Sequence, residues 1–151
     1  MKIRGAIVLA GCLALALSAC GEKPAAVVEA PPPAVAPTIP PPPPEHPLEV
    51  GSQDARDDLY CAAVIYAENP DPPNALNPID EALLRKAQML GFALGESGIN
   101  KLVAEKAAHA THGAVISDAY AEQVAKDAAA GKTRISLDDC NARANALPPV
   151  Q

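Results

Sequence analysis

The chain has 151 residues, 12 Lys+Arg against 18 Asp+Glu for a net charge of −6, 17 prolines, four cysteines, one Phe, three Tyr and no Trp. This length accommodates one domain of ordinary size and excludes a large catalytic scaffold such as an eight-stranded α/β barrel. The acidic balance excludes the basic face of a nucleic-acid binder, so no nucleic-acid partner is expected.

Lys2 and Arg4 form a positive n-region, followed from Gly5 to Ala19 by an uncharged, mostly apolar stretch of 15 residues. That is short of the roughly 20 residues that a permanent membrane helix needs and fits the hydrophobic region of a signal peptide. It ends in Leu17-Ser18-Ala19-Cys20, with polar Gly21-Glu22-Lys23 directly after. The order aliphatic, small, small, Cys resembles the lipobox of bacterial lipoproteins, a resemblance confined to residues 1–20. It implies that residues 1–19 are a signal peptide and that the Cys20 sulfur is fatty-acylated, with cleavage before it. The acylated amino terminus then anchors the chain durably through two or three acyl chains. Leu9-Ala10-Gly11-Cys12 fits the pattern even more closely, but cleavage there would leave a signal of only 11 residues and strand apolar Leu13 to Ala19 on the mature chain. An ordinary secretory signal, cut after Ala16, is the alternative. Under the family's sorting rule, Gly21 in place of Asp implies the outer membrane, with the protein facing the periplasm. Loss of Lys2 and Arg4 leaves 10 positive against 18 negative side chains, a balance of −8 that suits a solvated envelope protein.

Residues 20–50 hold the anchor and a tether. Eleven of the 17 prolines fall between Pro24 and Pro47, including Pro31-Pro32-Pro33 and the run Pro40 to Pro44. Proline donates no backbone hydrogen bond and fixes φ, so the segment is expected to be an extended spacer without helix or sheet. His46 reads as a solvated residue of this spacer. A Pro-rich recognition ligand is the less favoured reading.

Residues 51–151 read as an all-α domain, a small bundle of four to five short helices, with no period-2 run that would mark a strand. The first is expected over about Gln53 to Glu68, capped by Ser52 or Asp54, with a stripe of Leu59, Ala62, Ala63 and Tyr66. Asn69-Pro70 stops it. The second opens at Asn77-Pro78 with Asp80 and Glu81 in its first turn. Its apolar face is Ile79, Leu83, Ala87, Leu90 and Leu94, and it is expected to end near Gly95 to Gly98. A third spans about Ile99 to Ala110, and a fourth runs from Ala114 to Ala130 with Gly131 as a left-handed cap. The last starts at Ser136, where Asp139 completes an Asp variant of the capping box. Ile135 can staple against Cys140, and Pro148-Pro149 closes the helix.

Cys61 and Cys140 are an even pair in an exported chain and read as a disulfide joining the first helix to the last. With no Cys-x-x-Cys, a redox-active pair is disfavoured. Glu105, His109 and His112 could share a helix face as a metal triad, although zinc-binding helices usually space their histidines by four. Exposed residues at a helix end account for the same letters. Gly95-Glu96-Ser97-Gly98 is a near miss for a nucleophile elbow, with Ile99 where the last glycine belongs. Gly91 and Gly95, four apart, allow another backbone to approach closely.

No catalytic residue and no cofactor emerge. The expected function is a lipid-anchored envelope lipoprotein acting as a non-catalytic interaction or accessory module, with the membrane and an envelope protein as partners. The alternatives are a small periplasmic metal binder or enzyme using Glu105, His109 and His112, and an acid-stress chaperone.

Overall fold

The computed structural model describes residues 39–72 and 74–148. The signal peptide, Cys20, the tether before residue 39 and Pro149 lie outside the described residues. Four α-helices are present: α1 (Gln53–Glu68), α2 (Pro78–Ala104), α3 (Gly113–Ala129) and α4 (Leu137–Asn145), with a 3-10 turn at Ala110–His112. The described residues contain no strand. The fold is a small all-α bundle with one disulfide, Cys61–Cys140, whose Cα atoms are 4.9 Å apart.

α1 is the axis of the bundle. Ser52 caps it by accepting a hydrogen bond from the Ala55 amide on its Oγ. Every residue from Asp58 to Ile65 is buried, because α2, α3 and α4 all lean on α1. The expected single stripe therefore widens to the whole circumference, the pattern of a helix enclosed on all sides. Tyr66, expected to be inside, is exposed.

The largest departure from the sequence expectation is α2. Asn77 caps it as expected, accepting from the Ile79 and Asp80 amides. The helix then runs unbroken through Gly91, Gly95 and Gly98 to Ala104, so the expected helices to Gly98 and from Ile99 are one. The glycines are contacts with α1 rather than a break. A Cβ on Gly98 would stand 2.6 Å from Leu59 Cγ and 3.0 Å from the Ala55 carbonyl oxygen, and one on Gly91 would stand 3.2 Å from Tyr66 Cε2. Gly91 facing Tyr66, Gly95 facing Ala62 and Gly98 facing Leu59 make the pair antiparallel. Burial of the tight interface offsets the roughly 1 kcal/mol of helix propensity that each glycine forfeits.

α2 outruns its partner. In this register the end of α1 lies beside residue 89, so the first three turns of α2 have no α1 beside them. Ile79 and Leu83, expected on the core face, are exposed for this reason, while Leu94 is fully buried. α2 ends where Lys106 adopts φ +57° and the Ala107 and Ala108 amides turn back to the Leu102 carbonyl.

The tether ends earlier than residue 50. Leu48 and Val50 pack against the core, the Tyr120 hydroxyl reaches the Leu48 carbonyl at 3.5 Å, and the Pro41 carbonyl is 2.9 Å from His112 Nε2. Apolar Leu48 and Val50 follow the proline runs and are what draws this segment onto the bundle. His46 is exposed, as expected of a spacer residue.

Candidate functional site

α2 and α3 both pack on α1 and leave a groove between them. Its volume is about 660 Å³, with Leu59, Ala62, Ala63, Tyr66 and Ala67 of α1, Gly91, Phe92, Gly95, Glu96, Ile99 and Asn100 of α2, and Ser117, Asp118 and Ala121 of α3 lining it. The small side chains at Ala62, Ala63, Gly95 and Ala121 keep it open. Phe92 remains 47% exposed beside it, and Met89 and Val115 add exposed apolar surface on the same two helices. Both charged lining residues, Glu96 and Asp118, are acidic. An apolar concavity with a few polar groups is the usual form of a binding site. It suits an apolar or amphipathic surface, with preference for positive charge at its margin.

An ionic cluster ties α1 and α2, two of the helices that line this groove, to α4. Asp58 is 0% exposed in the core. One carboxylate oxygen accepts from Ser97 Oγ at 2.6 Å and from Lys101 Nζ at 2.6 Å. The other accepts from Arg143 Nε. Asp54, one turn earlier, pairs with Lys101 and with Arg143, which also donates to the Asp54 carbonyl. α1, α2 and α4 therefore meet at a fully paired set of charges, as burial of a carboxylate demands. The hydrogen bonds from Lys101 and then Arg143 hold the Asp54 carboxyl below its ordinary range. Desolvation pulls Lys101 down, but hydrogen bonds to Asp54 and Asp58 outweigh it and raise the ammonium above its usual value. Ser97, the near miss for a nucleophile elbow, is an α2 residue whose hydroxyl is committed to Asp58.

The structure distributes Glu105, His109 and His112 to separate tasks. Glu105 Oε2 accepts the Ser52 amide at 2.7 Å, at the positive end of α1, and hydrogen bonding from the Ser52 side chain and then from this amide lowers its carboxyl. His109 caps the 3-10 turn, with Nδ1 at 2.8 Å from Thr111 Oγ1. His112 Nδ1 accepts the His109 amide at 3.2 Å, which leaves the proton on Nε2 to be donated to the Pro41 carbonyl. Both ring nitrogens of His112 are thus occupied. Its ring is also buried, against the expectation of an exposed helix-end histidine. Among the described residues no group of three or more His, Cys, Asp or Glu side chains converges on a metal-sized site.

Tyr60 ties the far end together. Its hydroxyl donates to Asp127 Oδ2 at 2.9 Å and accepts the Arg134 amide at 3.0 Å, and the Arg134 guanidinium lies 4.4 Å from the ring centroid. Ser136 caps α4 by accepting the Asp139 amide.

Sequence reasoning found the disulfide but missed Asp58 as a core residue and missed the groove. Asp54 and Asp58, four apart on one face of α1 with Asp58 opening its apolar run from Leu59 to Ile65, were the available signal for the cluster. No described helix is long and apolar enough to cross a membrane. No protein-family model matches this chain, and no curated protein or solved structure shows significant similarity to it.

Proposed function

We propose that this chain is a lipid-anchored bacterial envelope lipoprotein whose helical domain is a non-catalytic interaction module. The observation that carries the reading is Leu17-Ser18-Ala19-Cys20 placed where the apolar leader stops and a proline-rich spacer begins. The Cys61–Cys140 disulfide supports export, because such bonds persist in oxidising compartments. The apolar groove supports a binding role: it is a concavity lined mostly by apolar and small side chains, with Tyr66 and Phe92 exposed within it. With Gly21 after the anchor, the outer membrane, facing the periplasm, is the proposed location.

Mass spectrometry of the full chain isolated from bacterial membranes tests the anchor. The expected result is an amino-terminal peptide starting at Cys20 and carrying fatty acyl groups, with Cys20→Ser moving the protein out of the membrane fraction. An unmodified amino terminus downstream of residue 20, or a retained leader, would overturn the reading.

A further inference from the structure

α2 has two long faces. One, through Gly91, Gly95, Gly98 and Leu102, is spent on α1 and on Gly51 at its start. The other carries Arg85, Met89, Phe92, Glu96, Ile99 and Val103, spaced alternately four and three apart. That is the periodicity by which two helices lie against each other over several turns. Met89 is 59% and Phe92 47% exposed, and Arg85, Glu96 and Val103 are exposed as well. This second face is continuous with the groove, since Phe92, Glu96 and Ile99 line both.

We propose that this face of α2 is the contact surface for a second copy of the same chain, packed antiparallel across a twofold axis midway between Leu90 and Gly91. The pattern of residues argues for a copy over a foreign partner. Reversal about that axis places Met89 against Phe92 of the second copy and Phe92 against its Met89. It also places Arg85 against Glu96 of the second copy, and Glu96 against its Arg85. The two charges on this face are therefore opposite in sign and equidistant from the axis, so the face is complementary to itself, as an isologous interface requires. Within one molecule they are eleven residues, or about 16 Å, apart along the helix and cannot pair. Arg85 bonds only within its own helix, to Glu81 at 2.5 Å, and Glu96 forms no ion pair among the described residues. Asp118 of α3 lines the groove together with Glu96, so the arriving arginine meets two carboxylates. The small residues of the groove leave room for the methionine and arginine that the second copy brings.

The contact does not depend on the anchor, and loss of acylation at Cys20 leaves it intact. The test is sedimentation velocity of the full chain in density-matched detergent, across a wide range of protein concentration. The expected result is a dimer. Arg85→Glu or Glu96→Arg alone places like charges opposite each other at both symmetric positions and weakens dimerisation by roughly tenfold or more. The double variant, Arg85→Glu with Glu96→Arg, restores most of it, the remainder being lost because Asp118 then faces a carboxylate at position 85. That rescue arises only if residue 85 of one copy meets residue 96 of the other. Phe92→Ala weakens association without lowering the helicity of the monomer, which separates a lost contact from a lost fold. A wild-type chain that stays monomeric, single charge reversals that leave the dimer intact, or a double variant without rescue would each overturn the proposal. So would a monomer whose groove is saturated by an added basic amphipathic peptide.

Discussion

Asp58 illustrates what a charge costs inside this protein and how the cost is met. The carboxylate is fully withdrawn from water, yet each oxygen has a strong donor and none of the described buried side-chain polar atoms lacks a partner. Asp58→Ala would leave Lys101 and Arg143 facing a hole. It is expected to destabilise the domain by about 3 kcal/mol, measured by urea unfolding. The figure sits at the low end for a broken buried pair because the Lys101 and Arg143 side chains keep 32% and 28% exposure and recover some hydration. Asp54 and Lys101 of this cluster, together with Glu105 at the start of α1, set the pH limits. Asp54 and Glu105 are depressed below the ordinary carboxyl values of 3.8 and 4.5, so their contribution is present above those values and is lost as pH falls through the folded ones. Lys101 is raised above 10.5, so its contribution is present below that pH and lost as pH rises through the folded value. Urea midpoints are therefore expected to be flat in between and to fall on both flanks. In Glu105→Gln the acid flank should shrink while the alkaline one is unchanged.

The helices differ in how openly their sequences announce them. The starts of α1, α2 and α4 are written in single residues, Ser52, Asn77 and Ser136, whose side chains accept amides that nothing else in the helix can satisfy. Those starts are legible from the chain alone, as is the partnership of Cys61 with Cys140. The continuity of α2 is not. Gly95 and Gly98 signal a break by local propensity; the proximity of α1 explains the glycine at 98, while 95 has room for a methyl group and its glycine has no such explanation. Its true stop, the left-handed Lys106, carries no residue signal, since lysine rarely adopts that conformation. The exposure of Ile79 and Leu83 depends on the relative lengths of α1 and α2, which periodicity within α2 does not encode. The two central glycines should respond oppositely to alanine. At Gly98 the new methyl group would meet Leu59 at 2.6 Å, and a loss of about 1–3 kcal/mol is expected from overpacking. At Gly95 the nearest atom is Ala62 Cβ at 3.8 Å, so the propensity gain dominates and stability rises by up to about 1 kcal/mol. Thermal unfolding of the two variants checks the sign at each position.

Across the whole domain, stability is distributed unevenly around α1. α2 and α3 present several buried residues each to the core, whereas α4 has nine residues and buries only Cys140 and Ala144. A helix of that length does not persist by propensity. Its attachments are the Arg143 ion pairs, a little apolar packing and the bond to Cys61. The disulfide joins positions 79 residues apart. In the chain-entropy account a closed loop of that size restricts the unfolded chain by about 4.5 kcal/mol, comparable with the entire stability of a small domain that has only four aromatic residues. Replacing both cysteines with alanine is thus expected to lower the urea midpoint steeply and to release α4 first, because α1 retains α2 and α3. Amide exchange should show protection lost over 137–145 while 59–65 and 94–102 stay protected in whatever fraction remains folded. The replacement should also weaken the Asp58 cluster, since Arg143 departs with α4. Asp58→Ala should therefore cost less in the cysteine-free chain than in the native one, and a double-mutant cycle measures that coupling. Equal costs in the two backgrounds would mean that the ion pairs hold α4 without the disulfide.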